Sequence, residues 1–364
     1  MKKIIILFNH FQIQDGVARC AVGMANALAK KKDIQVTLRP LFKFDQTMVE
    51  QLDERIIVRP VFGYYFRGFP QIVGKISMKW LHKQIIGNDY DIEIGLCMSL
   101  PIRIVSAYSD QKNERKINRF AWMHCYDVGL SLQSAYERIG KVICVSKYNA
   151  DRLQKEANGN YEINYAYNLV DDTRVRKMGE DEIDISKSEY MQFVSVARMS
   201  PEKGYDRLLH ICHRLKSEGY RFSLWLIGDG PQKDILEQKA RQLEVGDVVS
   251  FLGEKTNPHA YTAKADVFIC SSFDEGYSTA CTEAIMLGTP VITTDVSGGK
   301  EIIDESECGM IVHKDNNEEL YSALKTVLDN PQIVDEWKIK LRFTREKFSY
   351  NNRVEKLYKI LGVE

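Results

Sequence analysis

The sequence predicts an α/β protein built from two parallel-sheet halves. Apolar strand-like runs alternate with helical segments almost throughout, and the alternation restarts after a polar, acidic stretch from Asp171 to Glu189. The chain has 364 residues, long for one core and comfortable for two. With 44% hydrophobic and 27% charged residues, its composition is that of a globular protein.

In the first half Lys3–Phe8 reads as a buried parallel strand. Its apolar run ends at Asn9-His10, too short for the hydrophobic region of a signal peptide. Val17–Lys31 has helical periodicity, and Ile34–Leu38, Asp91–Cys97, Ile117–Met123 and Val142–Val145 read as further strands. After the acidic stretch come strand Met191–Ala197, helix 203–219, strand 221–227 and helix 231–244. Strands Val248–Leu252, Val267–Cys270 and Val291–Thr294 follow. Gln332 to Leu361 reads as amphipathic helix. The expected domains are 1–170 and 190–345, joined by a linker at 171–189. Two such sheets in tandem would leave a ligand-binding cleft between domains.

The eight cysteines are scattered through apolar segments without a C-x-x-C pair. They read as reduced core cysteines of a cytoplasmic protein, not as a disulfide frame or zinc site. No apolar segment is long enough to span a bilayer. The zero net charge hides an asymmetry: residues 1–170 hold 24 Lys and Arg against 16 Asp and Glu, the remainder 26 against 34. A basic first half suits an anionic partner or membrane surface. Phe62–Lys83 interleaves Tyr64, Tyr65, Phe66, Phe69 and Trp80 with Arg67, Lys75, Lys79 and Lys83. It fits a lipid interface or, equally, a half-buried amphipathic helix with solvated lysines. No recognition motif for nucleic acid accompanies the charge.

Chemistry concentrates in the loops of the second half. Strand Met191–Ala197 runs into Arg198-Met199-Ser200-Pro201-Glu202-Lys203-Gly204 before a helix. A guanidinium and an ammonium there can clamp a diphosphate, or simply flank a surface turn. The next strand ends in Gly228-Asp229-Gly230-Pro231, where glycines allow close backbone approach and proline starts a helix. The stretch from Asp274 to Lys300 is the most informative. Glu275 is followed by Gly276 and Tyr277, Ser278 and Thr279 open a helix that stops at Gly288, and Glu283 lies about one turn in. A helix N-terminus in such a loop is a ready anion site, and Glu283 can accept hydrogen bonds from ribose hydroxyls. The first-domain loop Asn9–Gly16 lacks the full G-x-G-x-x-G of a dinucleotide site.

This series of motifs, Arg198…Glu202-Lys203-Gly204, then Gly228-Asp229-Gly230-Pro231, Phe251-Leu252-Gly253 and Glu275-x7-Glu283, resembles the retaining GT-B glycosyltransferases of glycosyltransferase family 4. The resemblance is dense over residues 191–312 and looser over the first domain. It implies two facing Rossmann-like domains, a nucleotide sugar held mainly by the second, and a final helix, about 346–364, that crosses back onto the first. Carried over by position, Arg198 and Lys203 look like the diphosphate-binding pair and Glu283 like the ribose-binding acid. Glu275 looks like the acid that contacts the donor sugar, Gly276 to Thr279 the backbone that cradles sugar and phosphate, and Lys255 a border of the base. In the first domain Gly16 resembles the glycine loop facing the phosphates, and His124 the histidine that approaches the donor sugar or, alternatively, a core histidine. The family's paired glycine in that loop is here Asp15-Gly16, and Tyr277 occupies a variable position.

The chemistry implied is transfer from a nucleotide sugar, a UDP-sugar above all, to a saccharide or polyprenyl-linked saccharide. The anomeric configuration is retained and no metal or cofactor is needed. Asp89-Tyr90-Asp91, the one D-x-D, precedes a strand rather than following it and reads as a polar turn. A GT-B-shaped epimerase or phosphorylase is the alternative; the phosphorylase would need a pyridoxal-phosphate lysine. A non-enzymatic two-domain sugar-binding protein would need an export signal and no Arg198 or Lys203. The setting implied is surface-polysaccharide or glycan-precursor assembly, cytoplasmic or peripheral on the inner membrane face.

Overall fold

The computed structural model describes residues 1–12, 16–97, 99–108, 117–126, 131–157 and 160–364. They fall into two units: Met1–Leu169 with Arg353–Glu364, and Val170–Asn352. The first holds a seven-stranded sheet of β1 (Lys2–Phe8), β2 (Ile34–Pro40), β3 (Ile57–Val58), β4 (Ile92–Leu96), β5 (Asn118–Met123), β6 (Lys141–Cys144) and β7 (Glu162–Tyr165). Its order is β3-β2-β1-β4-β5-β6-β7, and its neighbours run parallel. The second holds β8 (Met191–Val196), β9 (Phe222–Ile227), β10 (Val249–Gly253), β11 (Val267–Cys270), β12 (Val291–Thr294) and β13 (Gly309–Val312), in the order β10-β9-β8-β11-β12-β13, again parallel.

Each order reverses once, between β1 and β4 and between β8 and β11. Connections leave the two strands toward opposite faces there, which opens a crevice at their carboxyl ends. The central strands are apolar on both faces because helices cover both. Ile4 to Phe8 are fully buried, as are Val267 to Ile269 nearly so. One core gathers Ile5, Leu7, Ala121, Met123, Tyr136 and Leu153, the other Phe193, Leu208, Leu224, Leu226, Ile269 and Leu324.

At each reversal an aspartate pins the two strands at their amino ends. Asp91 accepts from Lys3 N–H at 2.8 Å while its own N–H donates to the Lys3 carbonyl. Asp266 does the same with Gln192, at 2.9 and 2.8 Å. Asp91 therefore closes a strand register at the amino end of β4, away from the carboxyl-end crevice, in keeping with the polar-turn reading of the D-x-D.

The strands absent from the sequence reading are β3, β7 and β13. All are short and none is buried throughout, so no long apolar run marks them. The 171–189 stretch is not a bare linker: it opens with the helix Asp172–Gly179, capped by Asp171, which accepts from Arg174 N–H. That helix lies so close to helix Thr279–Leu287 that a Cβ on Gly179 would sit 2.4 Å from Leu287. The C-terminal run is broken into helices Gln332–Thr344 and Tyr350–Leu361 by a 3₁₀ turn at Arg345–Phe348, where Phe348 is fully buried. The last helix ties into the first unit through Tyr358 Oη, which donates to the Ala27 carbonyl at 2.8 Å.

Phe62–Lys83 contains two short helices, Phe69–Val73 and Met78–Ile85. Phe69, Val73, Leu81 and His82 face inward, while Tyr64, Tyr65, Phe66, Ile72, Ile76 and Trp80 are exposed. The second helix is held by an unanticipated network. Glu93 on β4, fully buried, meets His82 Nε2 at 3.0 Å and Arg119 Nε at 2.9 Å.

Asp266 generates a prediction. Burial alone would raise its pKa, but hydrogen bonds from Lys187, Lys338 and Gln192 N–H overcome that and lower it below 3.8. A depressed folded-state pKa contributes stability that is present above the unfolded value and lost as the pH falls through the folded one. Asp266→Asn is expected to cost about 1.5–3 kcal/mol at pH 7. The gap to the wild type should close as the pH falls from the unfolded aspartate value of about 3.9 through the lower folded one, where the wild-type carboxyl also protonates. Urea unfolding at both pH values measures it.

Candidate functional site

Three loops at the carboxyl ends of β8, β11 and β12 build the densest polar arrangement in the second unit. After β8 the chain passes Arg198 and makes a 3₁₀ turn, Pro201–Lys203, that ends on Gly204 in the left-handed conformation (φ 68°). A Cβ on Gly204 would lie 2.1 Å from the Ser271 carbonyl oxygen, so the loops after β8 and β11 touch backbone to backbone. Ser271 Oγ donates to the Lys203 carbonyl at 2.9 Å, and Phe273 N–H to the Glu202 carbonyl at 2.7 Å. Thr294, ending β12, donates to the Ser272 carbonyl at 2.7 Å. Gly228 and Gly230, after β9, approach Ala197 and Met199 just as closely: added Cβ atoms would come within 2.0 and 2.4 Å of carbonyl oxygens.

This lacing brings Lys203 and Glu275 together. Lys203 Nζ donates to Glu275 Oε1 at 2.7 Å, and Ser272 Oγ donates to the same oxygen at 2.9 Å. Burial pulls the Lys203 pKa down, but the attraction of Glu275 outweighs it and the pKa is raised. The ammonium is therefore charged throughout the physiological range. Arg198 is exposed at the end of β8. Gly276 and Tyr277 follow Glu275, and Tyr277 is buried with its ring against Gly298, where an added Cβ would be 2.5 Å away. Ser278 caps the helix Thr279–Leu287 by accepting from Cys281 N–H at 3.2 Å, and the helix ends on left-handed Gly288. Its N-terminus, carrying the positive end of the helix dipole, opens onto the loop that holds Glu275. Glu283, on that helix, lies 3.3 Å from His259 Nε2.

Lys255 pairs with Asp184 at 2.6 Å, and Tyr261 donates to the same carboxylate. Asn257 Nδ2 donates to Asp181 Oδ2 and the Met178 carbonyl, both at 2.8 Å. The acids of the 171–189 stretch thus fasten the segment that follows β10.

Arg207 gave no signal in the sequence, sitting as one basic residue in an amphipathic helix. It is buried, its Nε donates to the Ser271 carbonyl at 3.0 Å and its Nη2 to that of Ser272 at 3.1 Å, and its guanidinium stacks 3.9 Å from the Phe273 ring centroid. It fixes the loop that carries Glu275.

Gly16 and His124 belong to the first unit. Gly16 begins the helix Gly16–Ala29, with nothing within 4 Å of an added Cβ; Asp15 lies outside the described residues. His124 follows β5 and is buried, its Nε2 has no hydrogen-bond partner, and burial lowers its pKa to about 4, so the imidazole is neutral near pH 7. Six of the eight cysteines are buried.

Residues 180–353 match the family described as glycosyl transferases group 1. The N-acetylgalactosaminyltransferase of *Campylobacter jejuni* that acts on N-acetylgalactosamine-N,N'-diacetylbacillosaminyl-diphospho-undecaprenol is 30% identical over 182 residues, 50% of this chain and 48% of that relative. The chain thus spans about half the length of that relative. The lipopolysaccharide core biosynthesis glycosyltransferase LpsD of Rhizobium meliloti is 21% identical, covering 90% of this chain and 89% of that protein. Among solved structures, Anabaena HepE in complex with UDP-glucose superposes with a TM-score of 0.75 at 19% identity over the full length of both chains. The α/β architecture with two parallel sheets is that of the GT-B glycosyltransferases.

The contact at Gly204 is directly testable. Gly204→Ala must both hold a left-handed backbone and push against the Ser271 carbonyl, and is expected to cost about 2 kcal/mol or more. Gly246→Ala, where an added Cβ meets nothing within 4 Å, should stay within about 0.5 kcal/mol of the wild type. Chemical denaturation of the two variants compares them.

Proposed function

From the match of residues 180–353 to the family described as glycosyl transferases group 1, we propose that the chain moves a sugar from a UDP-sugar to a saccharide or lipid-linked saccharide, with retention of configuration, in the assembly of a surface polysaccharide or glycan precursor. The observation that carries this reading is the meeting of Lys203 and Glu275 beside a helix N-terminus at the reversal point between β8 and β11, with Arg198 exposed on the same loop as Lys203. Positive charge lies where a diphosphate would depart, and a carboxylate lies beside it for sugar hydroxyls.

In the proposed step the bond from the anomeric carbon to the diphosphate oxygen breaks as an acceptor hydroxyl oxygen bonds to that carbon from the same face. The hydroxyl proton passes to the departing phosphate oxygen. Lys203, held against Glu275 in the free protein, is shared with the diphosphate as charge grows there, and Arg198 adds a planar fork of donors. Glu283 takes the ribose hydroxyls. Positive side chains and a helix dipole supply the charge that a metal would otherwise bring, so the proposed reaction is metal-independent.

The acceptor is read from the first unit and from the lipid-linked substrate named for the Campylobacter relative. Between Pro60 and Asn88 there is no Asp or Glu, while Arg67, Lys75, Lys79 and Lys83 accompany the exposed Tyr64, Tyr65, Phe66 and Trp80. Such a surface suits shallow contact with anionic lipid. Among the described residues no helix is long and apolar enough to cross a membrane.

Hydrolysis of UDP- and GDP-sugars without acceptor identifies the donor. Arg198→Ala and Lys203→Ala should each lower kcat about a hundredfold while uridine binding is kept, since both act on charge that develops in the transition state. Equal loss of uridine binding would point to a folding defect, and strict dependence of the wild type on manganese would contradict the metal-free step.

Replacing Arg67, Lys75, Lys79 and Lys83 by Ser is expected to abolish co-sedimentation with anionic vesicles at low salt, each basic residue contributing about 1 kcal/mol. Activity on a short water-soluble acceptor should survive. A wild type that does not bind vesicles, or a mutant that still does, would sink the membrane reading.

A further inference from the structure

We propose that His259 is a positioning residue for Glu283, setting the carboxylate that receives the ribose; this rests on the reading of Glu283 as the ribose-binding acid. His259 stands in the first turn of the helix Pro258–Lys264, and its Nε2 lies 3.3 Å from Glu283 Oε2 on the helix Thr279–Leu287. The two side chains are only 14% and 15% exposed, so solvent screens their interaction little.

The physical need is plain. A glutamate side chain has three rotatable bonds, and accepting from two adjacent hydroxyls requires its carboxylate in one orientation. Fixing that orientation before the ligand arrives removes an entropy cost from binding. An imidazole with a proton on Nε2 directs it at the carboxylate, as outer partners orient the groups that touch a ligand.

The imidazole is itself mounted rigidly. Pro258 starts its helix, and the Asn257 side chain accepts from Ala260 N–H at 3.4 Å while donating to Met178 and Asp181. The ring cannot drift without moving that anchored turn. Both His259 ring nitrogens are buried without a hydrogen-bond partner, the approach to Glu283 being close but not well aligned. Buried polar nitrogens are ordinarily paired. At 3.3 Å a small rotation of the ring or of the carboxylate aligns Nε2–H with Glu283. His259 thereby couples the segment after β10, which resembles the border of the base, to the acid that holds the ribose.

Calorimetry with UDP and with 2′,3′-dideoxy-UDP tests this on the full chain. His259→Phe keeps the ring and removes its nitrogens; it should weaken UDP binding about tenfold, the size of one charge-assisted hydrogen bond. Affinity for the dideoxy nucleotide should not change, nor should UDP affinity when the substitution is made in a Glu283→Ala background. His259→Gln, which restores an N–H donor, should recover most of the loss. Equal losses for both nucleotides, additivity with Glu283→Ala, or unaltered UDP affinity would each overturn the proposal. If His259→Phe melts early, the same comparison is made with His259→Gln and His259→Leu, and a Gln variant no better than Leu overturns it. Glu283→Ala alone separates the two levels. Undiminished UDP binding there removes the ribose reading itself, whereas a clear loss there with no effect at His259 removes only the positioning role.

Discussion

The candidate site depends on β8 and β11 being neighbours. Their pairing is fixed at the amino ends, where Asp266 and Gln192 exchange two hydrogen bonds through one carboxylate and three backbone groups. With the strands locked there, the chains leaving their carboxyl ends must separate to opposite faces, and the loops that start them face one another across a narrow gap. Lys203 and Glu275, 72 residues apart in sequence, meet in that gap. The first unit repeats the device with Asp91 and Lys3.

Closeness has a steric condition. Gly204, Gly228 and Gly230 stand where any side chain would collide with a carbonyl, and Gly298 where it would collide with the Tyr277 ring. The hydrogen bonds that lace the loops satisfy buried backbone groups with Ser271, Thr294 and the Arg207 guanidinium instead of water. A loop held this way keeps its charged side chains in place before any ligand binds, which is what electrostatic stabilisation of a departing diphosphate requires.

Local charge, not net charge, does the work. Residues 171–364 carry more Asp and Glu than Lys and Arg, 34 against 26, yet this half holds the proposed phosphate site. Several of its acids are paired with lysines: Asp184 with Lys255, Asp266 with Lys187 and Lys338, Glu307 with Lys340 and Lys347. Arg198, Lys203 and the helix N-terminus are the positive groups that the loops after β8 and β11 contribute. In the first half, Arg67, Lys75, Lys79 and Lys83 stand in the segment of the exposed aromatics Tyr64, Tyr65, Phe66 and Trp80.

The sequence by itself determined the alternation of elements, the central strands, and the loops bearing Arg198, Lys203, Glu275 and Glu283. Those features are local: a strand buried on both faces writes a continuous apolar run, and a helix start at Ser278 or a stop at Gly288 is set by a few adjacent residues. Edge strands such as β7 and β13, of 4 residues each and not buried throughout, write a weaker signal, and the helix Asp172–Gly179, with one buried residue, looked like linker. Tertiary structure alone decided that Arg207 holds the Glu275 loop, that Glu93 gathers His82 and Arg119, and that His259 stands against Glu283. Each of these joins residues from separate elements. Chain order carries no trace of such a contact, because it exists only once two packed surfaces bring the partners within a few ångströms.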